Sequence, residues 1–86
     1  MEIKITLPDY SPDDGFKFQW ESNFTIEVRI EGNAIKILAN QAGLKSLAYQ
    51  LLNLSQAEFP PGYHIHLDAF NSLEEGSNDL LIEKTD

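Results

Sequence analysis

Phe24-Thr25-Ile26-Glu27-Val28-Arg29-Ile30-Glu31-Gly32-Asn33-Ala34-Ile35-Lys36-Ile37-Leu38-Ala39-Asn40 decides the fold. Phe24, Ile26, Val28 and Ile30 alternate with Thr25, Glu27, Arg29 and Glu31, the period of a strand with one buried face. Gly32-Asn33 is a two-residue hairpin signal for a tight primed turn. Ala34 to Ala39 then returns as a second strand. It is apolar on both faces except at Lys36, which predicts a central place in the sheet. Asn40 fits a helix N-cap, because its side-chain oxygen can accept a bond from an otherwise orphan amide.

Downstream, Leu44, Leu47, Ala48, Leu51 and Leu52 fall at helical spacing, with Lys45, Ser46, Gln50 and Asn53 on the other face. This predicts an amphipathic helix over about 41–57, with the leucines inward. Gly43 in its first turn costs up to about 1 kcal/mol relative to Ala, a cost that close approach to the sheet, or to a partner, would justify. Pro60-Pro61-Gly62 stops the helix. Tyr63, Ile65 and Leu67 alternate with His64, His66 and Asp68, a further strand. Residues 69–78 read as a loop and Asp79 to Glu83 as the last strand, with Lys84 to Asp86 a frayed tail.

Upstream, Ile3, Ile5 and Leu7 alternate with Glu2, Lys4 and Thr6, and Phe16, Phe18 and Trp20 alternate with Lys17, Gln19 and Glu21. Both runs predict strands, the second with an aromatic inner face, joined by an exposed loop from Pro8 to Gly15. The expected order is ββββ-α-ββ. It forms a single α+β domain over residues 1–86, a two-layer sandwich of one helix on a mostly antiparallel sheet.

The chain has 86 residues, 42% of them hydrophobic, a formal net charge of −8 and no cysteine. Disulfides, thiolate catalysis and cysteine-based metal centres are excluded. Lack of disulfide staples, a polar–apolar N-terminus without a signal-peptide core, and no apolar run near ~20 residues point to a soluble cytoplasmic protein without membrane association. The charge is lopsided: residues 1–45 hold seven acids and five bases, residues 46–86 seven acids and Lys84 alone. Such a surface repels phosphates, so nucleic acid is not the expected partner, and it steers basic proteins inward. The plainer reading is that acidity keeps a small protein soluble.

His64-x-His66-x-Asp68 is the one pattern resembling catalytic or metal chemistry. On a strand these side chains share a face, about 6.5–7 Å apart in succession. Imidazole and carboxylate suit zinc or iron, but completion needs Glu83, Asp79 or Glu74. The competing readings are a solvated strand face, or Asp68 accepting amides of the following turn. The expectation is no metal, no cofactor and no catalytic residue. Ser11, Ser46, Ser55, Ser72 and Ser77 lack an elbow motif, and the glycines form no phosphate loop. Tyr10 lies outside the strand alternation beside Asp9, Asp13 and Asp14, and suits an anchor for a basic partner. With Asp13, Asp14, Glu74, Glu75 and Asp79 it makes up the expected contact set.

Three segments carry a family resemblance: Asn40-Gln-Ala-Gly-Leu-Lys-Ser-Leu-Ala-Tyr-Gln-Leu-Leu, Gly62-Tyr-His-Ile-His-Leu-Asp and Leu73-Glu-Glu-Gly-Ser-Asn-Asp-Leu-Leu-Ile-Glu-Lys. In that order, between Asn33 and Glu83, they resemble immunity proteins of bacterial polymorphic toxin systems, the family numbered thirty-two. The resemblance implies a small α+β antitoxin-like protein that binds and blocks a cognate toxin domain in the cytoplasm. The charge sign suits a cationic target such as a nuclease domain. The competing reading is a non-catalytic structural or regulatory interaction module, homodimeric through a sheet edge.

Overall fold

The computed structural model describes residues 1–86. Its elements are β1 (Ile26–Glu31), β2 (Ala34–Ala39), α1 (Gln41–Leu54), β3 (His64–Leu67) and β4 (Leu80–Glu83). The class is α+β, with one helix and two antiparallel hairpins, β1 with β2 and β3 with β4. The order is therefore ββαββ. The expected ββββ-α-ββ order and single sandwich sheet are corrected, because residues 3–7 and 16–20 form no strand.

The β1/β2 hairpin forms as its turn chemistry requires. Glu31 faces Ala34 across Gly32-Asn33, and of these two only Gly32 takes a positive φ, 58°. That is the pattern of a primed turn with glycine at its first central position. Ile26 and Val28 are fully buried, facing Ala39 and Ile37. β2 is not central. It is hydrogen-bonded only to β1, and Ala34 to Ile37 are exposed.

Asn40 caps α1 as expected. Its Oδ1 accepts from Gly43 N at 2.7 Å and from Thr25 N at 3.0 Å, while its Nδ2 donates to Asn23 O at 2.9 Å. One side chain thus ties the helix start to the segment before β1. The helix ends at Leu54, three residues before the expected 57, where Ser55 N donates to Leu51 O and Leu52 O. Gly43 is explained by close approach: a Cβ there would press into the carbonyl of Thr25.

The helix faces are largely the reverse of the expectation. Leu47 and Leu54 are buried, but Leu44, Leu51 and Leu52 are exposed by 57%, 46% and 45%, while Ser46, Gln50 and Asn53 are almost wholly buried. The reason lies in residues 8–21, a strap that crosses the helix outside any strand. Ser46 Oγ accepts from Glu21 N at 2.9 Å, and Gln50 Oε1 accepts from Gln19 N at 3.2 Å. Gln50 Nε2 donates to Gln19 O, Asn53 Nδ2 donates to Lys17 O, and Gln56 Nε2 donates to Pro8 O. These polar side chains take the place a neighbouring strand would have. Buried amides with such partners cost little, whereas unpaired ones would cost about 1–3 kcal/mol each.

Two clusters make up the core. Ile26, Val28, Leu47, Leu67 and Leu73 form the larger, flanked by Trp20 and Phe24. Leu54, Phe59 and Ile65 form the smaller, flanked by Tyr10, Phe16 and Tyr63. The aromatic alternation does face inward, but as a half-buried cover. Phe16, Phe18, Trp20 and Phe24 stack or tilt in succession at 4.7, 5.6 and 4.7 Å between centroids. Lys84 is not a frayed residue either: its Nζ donates to Gln56 O at 3.0 Å and Phe59 O at 2.9 Å, pinning the turn after the helix.

Candidate functional site

The β3/β4 hairpin builds the densest polar group on the surface. Its register pairs His64 with Glu83, His66 with Leu81 and Leu67 with Leu80. Ile65 and Leu67 turn inward and are buried, so His64 and His66 turn outward. Continuing that register by one pair sets Asp68 opposite Asp79, on the same face as His66.

The histidine pair is not brought together as a ligand set. His64 Nδ1 lies 3.3 Å from Gly62 O, while His66 Nε2 lies 2.8 Å from Asp79 Oδ2. The group that does converge is His66, Asp68 and Asp79, whose candidate ligand atoms all lie within 4.8 Å of one another. Asp79 was legible only as a completing ligand. It arrives because β4 pairs with β3 in this register.

Asp68 also does what the turn demands. Its Oδ1 accepts from Phe70 N at 2.9 Å and Asn71 N at 3.0 Å. Asn71 reciprocates, with Oδ1 accepting from Asp68 N and Nδ2 donating to His66 O, both at 2.9 Å. This closed set holds the loop that leads to Leu73 in the core. Three serine hydroxyls are likewise spent on backbone: Ser46 Oγ donates to Ala42 O, Ser55 Oγ donates to Leu52 O, and Ser77 Oγ accepts from Val28 N.

The expected contact residues lie on two loops. Asp13 and Asp14 are exposed in a turn, with Asp14 carrying Lys17 at 3.5 Å. Tyr10, from the same loop, is half-buried, stacked on Phe59 at 4.7 Å and edge-on to Tyr63 at 6.4 Å. Its ring therefore fastens the acidic loop to the smaller core cluster. Glu74, Glu75 and Asp79 are exposed on the loop between β3 and β4, which is itself held to β1 by Glu74 N donating to Ile26 O at 2.8 Å.

Two surface features were missed by the sequence reading. The helix shows an outward apolar stripe of Leu44, Ala48, Leu51 and Leu52. Beside it runs an open groove of about 650 Å³ between residues 1–6 and the Leu44–Tyr49 stretch of the helix. The signal that would have found the stripe is the run Ser46, Gln50, Asn53, whose hydroxyl and amides can serve a backbone that leucine cannot. On the β1/β2 hairpin, Arg29 meets Glu27 at 2.6 Å and Lys36 meets Glu31 at 3.6 Å. The hydrogen bonds that Arg29 donates to Glu27, then the charge of Glu27, raise the Arg29 pKa above its ordinary value.

No helix of the chain is long and apolar enough to cross a membrane. A family model described as Immunity protein 32 matches residues 34–85. That span opens at β2 and closes after β4. It takes in α1, the His66 group and all three segments on which the resemblance was read. No curated protein and no solved structure matches the chain.

Proposed function

The chain belongs to the immunity protein 32 family, and from that premise we propose that it is an antitoxin-like protein that binds a cognate bacterial toxin domain and neutralises it without catalysis of its own. The match over residues 34–85 carries this reading. The charge supports its direction. All of the −8 formal charge lies outside the β1/β2 strands and their turn, where Glu27 and Glu31 offset Arg29 and Lys36. A cationic toxin domain, such as a nuclease, would be drawn to the acidic loops, and like charge would turn other acidic proteins away. In this reading Asp13, Asp14, Glu74, Glu75 and Asp79 form the steering surface, with Tyr10 positioning the first loop. The binding acts in the cytoplasm, ahead of the toxin's access to its target.

Co-expression with the toxin domain encoded next to this chain's own gene is the test. Rescue of growth and co-purification of the two proteins are expected. Absence of both would sink the reading. The surface is tested separately with Glu74→Lys/Glu75→Lys, which should slow association about tenfold at low salt and flatten its salt dependence. An unchanged rate at low salt rejects that loop as the steering surface.

A further inference from the structure

The two long sides of the β1/β2 hairpin are finished differently. On β1, three of the peptide groups that turn away from β2 find partners. Ile26 O accepts from Glu74 N, Val28 O accepts from Asn78 N, both at 2.8 Å, and Val28 N donates to Ser77 Oγ at 3.1 Å. β2 has no such neighbour. The bond from Asn40 N to Thr25 O at 3.2 Å sets the phase of the ladder. Counting back by twos, Leu38, Lys36 and Ala34 share bonds with β1, so the peptide groups of Ile35, Ile37 and Ala39 face the open side. No turn, loop or cap bond reaches them.

The side chains there are open as well. Ile35 is 70% exposed, Ile37 44%, and Ile30, opposite Ile35, 63%. β2 has few of the usual protections of an edge: it carries no proline and no bulge, and its single charge, Lys36, lies on the opposite face.

We propose that this edge pairs with the same edge of a second copy, β2 against β2, antiparallel about a two-fold axis through Ile37. Parity and charge select that register. Only residues whose peptide groups face outward can exchange bonds across the new pair. An axis through Lys36 satisfies this but sets two ammonium groups directly opposite, which is destabilising. An axis through Ile37 pairs Ile37 with its own copy, Ile35 with Ala39 and Lys36 with Leu38. The product is a four-stranded sheet whose isoleucines form one continuous face. A second copy suits this edge better than a basic protein does, because the hairpin's own charges cancel in the Glu27–Arg29 and Glu31–Lys36 pairs. Charge steers nothing here; an apolar, self-complementary strand does the pairing. This pairing does not depend on the toxin reading.

Sedimentation equilibrium of the full chain, up to about 1 mM and at about 50 and 500 mM NaCl, tests it. The mass should rise toward twice the 9.7 kDa of one chain, and more readily at high salt, where the −8 charges of the two copies are screened. Ile37→Pro removes only an outward N–H, a place where an edge strand tolerates proline, and should weaken association at least about tenfold. Ile35→Lys, an exposed charge on the same edge, should do the same with the fold intact by circular dichroism. A chain that stays monomeric throughout, or a dimer indifferent to both variants, overturns the proposal. So does a monomer whose variants instead lose the toxin domain, since the edge would then belong to that partner.

Discussion

Residues 1–25 and residues 26–86 share the same polar–apolar alternation and fold by different means. In the later part, Ile26, Val28, Ile65 and Leu67 alternate and lie in strands, each strand hydrogen-bonded to an antiparallel neighbour. In the earlier part, Phe16, Phe18 and Trp20 alternate as cleanly, yet the chain there is a strap with no ladder of its own. Its backbone is satisfied by Ser46, Gln50, Asn53 and Gln56 of the helix and the turn after it. Alternation reports one buried face; it does not report which groups will serve the peptide bonds. The family match starts at residue 34, so it spans most of the paired region and none of the strap.

The seam between the two regions should be the most sensitive place in the molecule. Gly43→Ala would gain about 1 kcal/mol of helix propensity. It would also drive a methyl group into the Thr25 carbonyl and the Ile26 side chain, forcing the helix away from the entry to β1. Overpacking costs about 1–3 kcal/mol, and a clash with backbone sits at the upper end of that range, so a net loss of about 2 kcal/mol is expected. Urea unfolding measures it. A stabilised variant would mean Thr25 and the helix do not meet as tightly as the glycine implies.

A smaller effect should separate the regions rather than unfold both. Gln50→Leu keeps the volume and removes both bonds to Gln19. Gln19 is exposed, so water can replace part of what is lost, and about 1–2 kcal/mol is expected. The strap should become the first site of limited proteolysis, while the helix signal in circular dichroism holds. Equal protection of strap and body in the variant would show that the aromatic stack, and not the amide ladder, fastens residues 16–21.

What could be read beforehand follows the same division. The Gly32-Asn33 hairpin, the Asn40 cap and the β3 and β4 strands were legible because each depends on residues close in sequence or on strict alternation. The reversed helix was not, because leucine spacing says where apolar residues cluster, and only the strap's unpaired peptide groups decide that Gln50 and Asn53 go inside. The His66, Asp68 and Asp79 group was half legible. Two of its members came from the strand pattern, and the third needed the register between strands thirteen residues apart at His66 and Asp79.

The smallest effect is the sharpest test of that reversal. If the leucines faced the core, Leu51→Gln would cost several kcal/mol, as large core truncations do. With Leu51 and Leu52 about half exposed, the substitution should change stability by no more than about 0.5 kcal/mol. Its neighbour supplies the contrast: Gln50→Leu makes the chain more apolar and less stable, and Leu51→Gln makes it more polar at almost no loss. Adjacent positions on one helix would thus respond against the rule that leucine belongs inside. A Leu51→Gln variant that unfolds would return the helix to the ordinary arrangement and release the strap from its amide partners.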